Sequence, residues 1–499
     1  MHSIIVVMTS LPDEIYSVAT VREIDRTAIE DEAIPGYTLM SRAGAAAVSE
    51  ARSRFPDARR WQVVCGAGNN AGDGYVVARL AASEGIVVSV VALVDPAALR
   101  GDAATAYGDF AAEGGVVTPW SGQLDADADL IVDGLLGSGL ERDVEGEFAL
   151  AVSAINAHAG KVLALDVPTG LHADSGAVMG FAVRADLTVT FVGLKAGLYL
   201  RDGREFSGEI AFAGLGIPAK CRQGGRAEFR RIDDHQLQRT LAPRRRASHK
   251  GDFGHVLIVG GGAGMPGAVR LCGEAALRTG AGRVSVATDP GHAAMIVATR
   301  PELMSHSVSN SDELQPLLDL ADVIAVGPGL GRSPWAGELM AALGADDRPC
   351  VWDADALNWL AESASRKEQR IITPHPGEAA TLLGVTAADV QSDRRTALNQ
   401  LHERYAGVVV LKGAGTLVSS GTGAPWLCTS GNPGMASPGM GDVLTGIIAA
   451  LLGQGLAPED AAAVGVEVHA RAGDRAAGGG ERGLVASDLL LELRGIINL

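Results

Sequence analysis

Eight short apolar runs in this chain end directly in a glycine-rich or polar segment, and no other feature constrains the fold as strongly. In the first half, Trp61–Cys65 leads into Gly66–Gly74, Leu130–Val132 into Asp133–Leu140, and Val162–Leu165 into Asp166–Gly170. In the second half, Val256–Val259 leads into Gly260–Gly267, Val323–Val326 into Gly327–Gly331, and Cys350–Trp352 into Asp353–Leu357. Ile371–Ile372 then leads into Thr373–Glu378, and Val408–Leu411 into Lys412–Thr416. Helical patterns lie between the runs. Short continuous apolar runs alternating with helices indicate parallel strands covered on both faces. The expected class is therefore α/β, with two three-layer sandwiches. In such sheets the carboxyl ends of the strands form the ligand crevice, so polar residues at the tips are the first site candidates.

A chain of 499 residues exceeds one core. The two strand–helix series divide it into an expected domain 15–218, a linker and capping segment 219–244, and a domain 245–499. The basic run Arg244–Arg246 reads as a solvated edge of that linker. A net charge of −17 and 4% aromatic residues argue against a nucleic-acid partner. No run is apolar for long enough to span a membrane; Ile447–Leu452 stops at Gly453. Ile4–Met8 is too short for a signal-peptide core, and Met8 is an alternative start. Five cysteines without CxxC spacing exclude a zinc ribbon and disfavour a disulfide scaffold, so a reducing cytoplasm is expected. A homo-oligomer is also expected.

Gly431–Thr445 carries the sharpest chemistry. Glycines crowd ahead of Asp442, and an apolar helix, Val443–Leu452, follows at once. A helix start offers free N–H groups to phosphate, and an aspartate there can take a proton from a neighbouring hydroxyl. The alternative is an ordinary N-cap. Lys412, followed by small residues, can hold phosphates, although the GxxxxGK[ST] order is absent. His375, fixed between two prolines beside Glu378, is either structural or part of the site. In the first half, helices are expected over Ile15–Glu32, Leu39–Arg54 and Tyr75–Ser83. The loop before the third presents Asn69, Asn70 and Asp73, and Asp133 and Asp166 are expected to face one pocket. Lys195 is a further polar candidate or a surface lysine.

These motifs carry two resemblances. Ile34-Pro-Gly with Leu39-Met-x-Arg-Ala-Gly44, Asn69-Asn-x-Gly-Asp-Gly74, Val132-Asp-x-Leu-x-Gly-x-Gly139 and Asp166-Val-Pro-x-Gly170 resemble the epimerase domain of bifunctional NAD(P)H-hydrate repair enzymes, over 15–215. That resemblance implies a Rossmann-like fold and a hydrated nicotinamide substrate. It implies K+ at Asn70, Asp133 and Thr169, with Asp166 as acid/base. It also implies substrate contacts at Asn69, Asn70, Ala71, Gly72 and Asp73, and at Gly137, Ser138, Gly139, Leu140, Glu141, Arg142 and Asp143.

Gly264-Met-Pro-Gly-Ala-Val-Arg270, Gly327-Pro-Gly-Leu-Gly331, Thr373-Pro-His-Pro-Gly-Glu378, Lys412-Gly-Ala-Gly-Thr416 and Asn432-Pro-Gly-Met with Gly439-Met-Gly-Asp-Val-Leu444 resemble the ribokinase-like ADP- or ATP-dependent NAD(P)H-hydrate dehydratase domain, over 245–497. That resemblance implies NADHX and NADPHX (hydrated NADH and NADPH) as substrates, ADP or ATP as co-substrate, and Mg2+. Lys412, Gly413, Ala414, Gly415, Thr416 and Gly441 would contact the nucleotide. Ala268, Gly329, His375 and Asp442 would contact the hydrate, with Asp442 as base. Pro438 departs from the family pattern, where glycine is usual, and lacks an N–H. The competing expectation is a ribokinase-like small-molecule kinase with an N-terminal ligand-binding module.

Overall fold

A computed structural model describes residues 11–223 and 225–498; the alternative start Met8 lies outside the described residues. The chain forms two compact units, Met1–Arg230 and Arg231–Leu499.

The first unit begins with β1 (Glu14–Tyr16), α1 (Val18–Glu30) and α2 (Gly36–Arg54). The expected helix from Ile15 is thus cut at its start. Ile15 and Tyr16 are strand residues, and the Ser17 side chain accepts from Thr20 N–H to cap α1. There follow β2 (Arg60–Cys65), α3 (Asn69–Ser83), β3 (Val87–Ala92), α4 (Gly101–Ala112), β4 (Val117–Pro119), β5 (Leu130–Gly134), α5 (Gly146–Ala157) and β6 (Lys161–Leu165). The unit ends with β7 (Leu187–Phe191), β8 (Leu194–Lys195), α6 (Gly203–Phe206), β9 (Glu209–Ala213) and β10 (Phe229–Arg231), whose last residue opens the second unit.

Seven parallel strands pair in the order β4-β3-β2-β5-β6-β7-β9. The order reverses beside β2, so the loops after β2 and β5 diverge and open a crevice at the strand tips. β1 lies outside this sheet, pairing in parallel with β8. One face of the sheet is packed by α2 and α3 through Ala43, Ala46, Ala47, Val76 and Val77, all at most 3% exposed. Small side chains on α2 let α3 approach closely.

The second unit comprises α7 (Asp234–Thr240), β11 (His255–Val259), α8 (Pro266–Thr279), β12 (Arg283–Thr288), α9 (Ala293–Thr299), β13 (Met304–Ser307), α10 (Ser311–Leu318), β14 (Val323–Val326), α11 (Pro334–Gly344) and β15 (Cys350–Trp352). It continues with α12 (Asp355–Glu362), β16 (Arg370–Ile372), α13 (Pro376–Leu383), α14 (Ala387–Ser392), α15 (Arg394–Tyr405), β17 (Val408–Leu411), β18 (Leu417–Ser419) and β19 (Trp426–Leu427). Three helices close it: α16 (Met440–Gly453), α17 (Pro458–Ala476) and α18 (Ala486–Ile496). Strands β13-β12-β11-β14-β15-β16-β17 run parallel, and β18 and β19 extend the sheet antiparallel.

Within the expected linker and capping segment, Ile232 and Leu237 are buried in this unit's core. The basic run is anchored at its first residue, where Arg244 stacks on Phe253 and donates to the Gly280 carbonyl at 2.5 Å. Helix α16 is apolar on all sides, with Val443, Ile447, Ile448 and Leu451 each at most 1% exposed. Each such side chain stabilises the fold by about 1.5–3 kcal/mol. Its close partner is α8: a Cβ at Gly446 would lie 2.1 Å from the Cys272 carbonyl oxygen. That fit fixes the start of α16, and with it Asp442. Among the described residues no helix is long and apolar enough to cross a membrane, and all five cysteines are free and buried.

Candidate active sites

In the first unit a cavity of about 940 Å3 opens at the strand tips. Its wall includes Asn69, Asn70 and Asp73 from α3, residues 137–142 after β5, Asp166 after β6, and Lys195. The expected binding loop is corrected: Asn69–Gly74 is the first part of α3, and only Gly66–Gly68 connects it to β2. Helical winding turns successive residues to different sides. Ala71 is fully buried, and a Cβ at Gly72 would lie 2.7 Å from Met40 and 2.9 Å from Ala103, so both pack the helix inward. Asp143 is exposed and lies outside the cavity wall.

Asp166 has φ +66°, a left-handed backbone that a non-glycine residue rarely adopts. Its carboxylate accepts from Thr190 Oγ1 at 3.2 Å, from Phe191 N–H at 3.3 Å and from the Lys195 ammonium. Lys195 is 1% exposed and also donates to Thr190 Oγ1 at 3.1 Å and the Phe191 carbonyl at 2.8 Å. The surface-lysine reading is therefore wrong. The β7–β8 turn folds this lysine back under the β6 tip, which no local sequence signal encodes.

Asp133 and Asp166, expected to face one pocket, do not share it: Asp133 lies outside the cavity wall. It is fully buried within β5 and clamps the neighbouring tip, accepting from Thr169 N–H at 2.8 Å and Thr169 Oγ1 at 2.7 Å. Burial pushes its carboxyl up to about 6, against the lowering effect of the Thr169 bonds. Beside it, both amide atoms of Asn70 are buried without a partner. An orphaned amide oxygen, a buried carboxylate and a hydroxyl make an oxygen set that fits a hard cation. Among the described residues no group of three or more His, Cys, Asp or Glu side chains is spaced to hold a metal.

Sequence reasoning missed Asp25 and Arg22, which reach the same cavity from α1. The available signal was the position of Asp25 four residues after buried Val21 and beside Ile24, where the helix faces inward.

In the second unit the loops after β11 and β14 lie side by side: Gly262 N–H donates to the Gly329 carbonyl at 2.7 Å. Gly329 has φ +55°, and a Cβ there would lie 3.1 Å from that of Ala268, in the first turn of α8. These two expected substrate contacts thus meet. Asp442 sits in the first turn of α16, whose leading N–H groups have no intrahelical acceptor. Burial pushes its carboxyl up to about 7, nearby Asp353 adds to the shift, and Lys412 opposes it.

Lys412 Nζ binds Asp353 Oδ1 at 2.7 Å and lies 3.8 Å from Glu378. Thr445 Oγ1 donates to the other Asp353 oxygen at 2.9 Å. Gly441 is threaded between them: a Cβ there would lie 3.2 Å from Asp353 Oδ2 and 3.3 Å from Lys412 Nζ. Gly413 and Ala414 are exposed, while Gly415 is buried and the Thr416 hydroxyl donates to the Gly413 carbonyl at 3.0 Å.

His375 caps α13: its Nδ1 accepts from Gly377 N–H at 3.0 Å, and Glu378 returns a bond to His375 N–H at 2.7 Å. The ring is half-exposed, so a structural task is evident. Sequence reasoning missed Asp353 as the anchor of Lys412. It also missed Arg394, 4% exposed, which donates to the Leu411 carbonyl at 3.0 Å and the Gly415 carbonyl at 3.2 Å and so braces the 412–416 loop.

A family model described as NAD(P)H-hydrate dehydratase matches residues 256–494, and one described as YjeF-related protein N-terminus matches residues 36–197. The chain is 46% identical over 485 residues to the bifunctional NAD(P)H-hydrate repair enzyme Nnr of Coxiella burnetii, covering 97% of this chain and 99% of that one. It is 44% identical over 490 residues to the enzyme of the same name from Escherichia coli, covering 98% and 95%. Among solved structures, a ribokinase-like superfamily protein from Enterococcus faecalis matches 54% of this chain and 96% of its own, at 27% identity and a TM-score of 0.51.

Proposed function

The chain belongs to the bifunctional NAD(P)H-hydrate repair enzymes, and from that premise we propose which of its side chains carry the two reactions. The first unit epimerises hydrated NAD(P)H, and the second dehydrates the S epimer to NAD(P)H. One observation carries the residue assignment: each unit holds an aspartate at the strand-tip edge of its own parallel sheet, Asp166 directly after β6 and Asp442 beside the β15 and β17 tip residues Asp353 and Lys412.

In the epimerase, the hydroxyl on the carbon beside the ring nitrogen departs with help from the nitrogen lone pair, and water returns. Asp166 exchanges the proton with that oxygen. Lys195 positions Asp166, and its ion pair is shielded from solvent. Asn69, Asn70, Asp73 and residues 137–142 hold the dinucleotide. K+ at Asn70, Asp133 and Thr169 would supply a fixed positive charge beneath the loops that bind it.

In the dehydratase, Asp442 takes the proton of the ring hydroxyl, and that oxygen attacks the terminal phosphoryl group of ADP, releasing AMP. Phosphate leaves as the nitrogen lone pair forms a carbon–nitrogen double bond, and loss of a proton from the neighbouring ring carbon to solvent returns that pair to nitrogen and restores the reduced ring. The raised carboxyl of Asp442 supports this role, since a base poised near 7 still accepts a proton readily. Lys412, Gly413, Ala414, Gly415, Thr416 and Gly441 face the phosphates. Asp353, Glu378 and Asp442 set three carboxylates against the single Lys412 cation, a balance that suits Mg2+ carried in on the nucleotide. Ala268, Gly329 and His375 border the hydrate, and Pro438 removes one N–H from the approach to α16. A cytoplasmic location and a homo-oligomeric state belong to the same reading; free buried cysteines support the first, and sedimentation tests the second.

The deciding experiment incubates the protein with hydrated NADH, Mg2+, K+ and either ADP or ATP. Recovery of NADH with release of AMP and phosphate from ADP is expected. A stable phosphorylated product would instead indicate a small-molecule kinase.

A further inference from the structure

We propose that Asp25, on α1, is a second catalytic acid/base of the first unit's cavity, serving the face of the nicotinamide ring that Asp166 does not serve. The inference rests on the epimerase reading above. Inversion requires hydroxide to leave one face of the ring and water to add on the other. A single carboxylate fixed at one point serves one face, so inversion calls for a second proton carrier from a separate element.

The cavity supplies one. Besides Asp166, its wall holds four carboxyls, Asp25, Asp73, Asp102 and Glu141, with Lys195 as the cation beside Asp166; of the four, Asp25 and Asp73 feel the charges of Asp166 and Lys195. Asp166 is held by three donors, all on Oδ1, and anchored on a left-handed backbone. Neither Asp25 nor Asp73 has a side-chain hydrogen bond or ion pair among the described residues, so both are free to reach a ligand. The two differ in surroundings. Burial pushes the Asp73 carboxyl upward, with Asp166 and Asp25 adding repulsion and Lys195 opposing it. Burial pushes Asp25 up to about 6; Lys195 opposes that shift and Asp166 adds to it. Arg22, on the same helix, lines the cavity with it. Asp25 comes from a separate element, α1, whereas Asp73 shares α3 with Asn69 and Asn70; a group that must give and take a proton also works best near the working pH, as Asp25 does. Asp25 lies outside the 36–197 match and outside every motif that pointed to the site.

The step balances. With the hydroxyl on the Asp25 side, the Asp25 proton passes to the hydroxyl oxygen as the carbon–oxygen bond breaks. The nitrogen lone pair forms a carbon–nitrogen double bond, and water departs. A second water forms a carbon–oxygen bond on the other face while Asp166 takes its proton, and the double-bond pair returns to nitrogen. One water leaves and one enters, and one proton moves from Asp25 to Asp166. The opposite epimer runs the sequence in reverse, and solvent exchange resets the pair.

The test uses the full chain and racemic hydrated NADH in 18O-labelled water, without nucleotide. Inversion and label uptake are followed for each separated epimer. Asp25→Asn is expected to slow inversion by about 100-fold or more. Label uptake without inversion should persist within a few-fold at the epimer whose hydroxyl faces Asp166. Asp25→Glu, which keeps a carboxyl, is expected to recover inversion to within about tenfold of the parent. A parallel fall of exchange and inversion in Asp25→Asn overturns the proposal, as does an unchanged ratio or a Glu variant no better than Asn. Absence of inversion in the parent protein would instead remove the epimerase reading itself.

Discussion

Asp166 and Asp442 are the same side chain held in opposite ways. Asp166 sits on a left-handed backbone after a strand, met by a buried ammonium and two further donors. Asp442 sits in regular helix with no cap bond, beside another buried carboxylate, and burial raises it to about 7. The first arrangement fixes one carboxylate oxygen in space. The second makes the carboxylate a stronger base while leaving it uncommitted. A proton shuttle that must return to its starting state benefits from the first. A base that must strip a hydroxyl before phosphoryl attack benefits from the second.

The contrast breaks most sharply under substitution. Asp442→Asn is expected to lower dehydration by about 100- to 10,000-fold with epimerisation unchanged, assayed separately on one preparation. Comparable loss of both activities would mean that the units do not act independently. Lys195→Met leaves Asp166 without its buried partner, and such a break costs about 3–5 kcal/mol. Denaturant unfolding should show that loss in the first unit, with dehydratase activity retained. A neutral outcome would show that Asp166 does not depend on the pair.

Gly441→Ala is smaller in effect. Its methyl would press on Asp353 Oδ2 and Lys412 Nζ, displacing the cation from the phosphates. A rise in the nucleotide KM, with less change in kcat, is expected, of roughly tenfold (about 1.4 kcal/mol).

The pH response follows from the direction of the Asp442 shift. A carboxyl raised to about 7 must lose its proton to act as base, so dehydration should fall about tenfold per pH unit below 7. For stability the sign is opposite to the usual carboxylate. A raised folded pKa favours folding at pH below the unfolded value near 3.8, and that advantage is lost as pH rises through about 7. Asp442→Asn should therefore raise Tm at pH 8 and leave it nearly unchanged at pH 4. Equal shifts at both would show that Asp442 is not held in a desolvated place.

The sheet tips were legible because parallel strands impose their pattern locally. Val323–Val326, Cys350–Trp352 and Val408–Leu411 fall where apolar runs meet glycine or a charged residue, and the strands match residue for residue. What the sequence hid was set by distant contacts. The Asn69–Gly74 stretch reads as a loop because glycine and asparagine disfavour helix, yet packing against Met40 and Ala103 holds it helical. Lys195 stays undecided between site and surface because its partner is 29 residues earlier. Asp353 reads as a tip residue, but its partners Lys412 and Thr445 lie 59 and 92 residues away. Asp25 carries no local motif, since the cavity it lines is built largely by distant segments.

One chain carries two sites, one interconverting the epimers and the other consuming only S. Chromatographic separation of the R and S hydrates during incubation with ADP, Mg2+ and K+ tests it most directly. The parent protein should exhaust both epimers, and Asp166→Asn should exhaust S while R declines only at its spontaneous rate. Equal consumption of R by the Asp166→Asn protein would contradict the account.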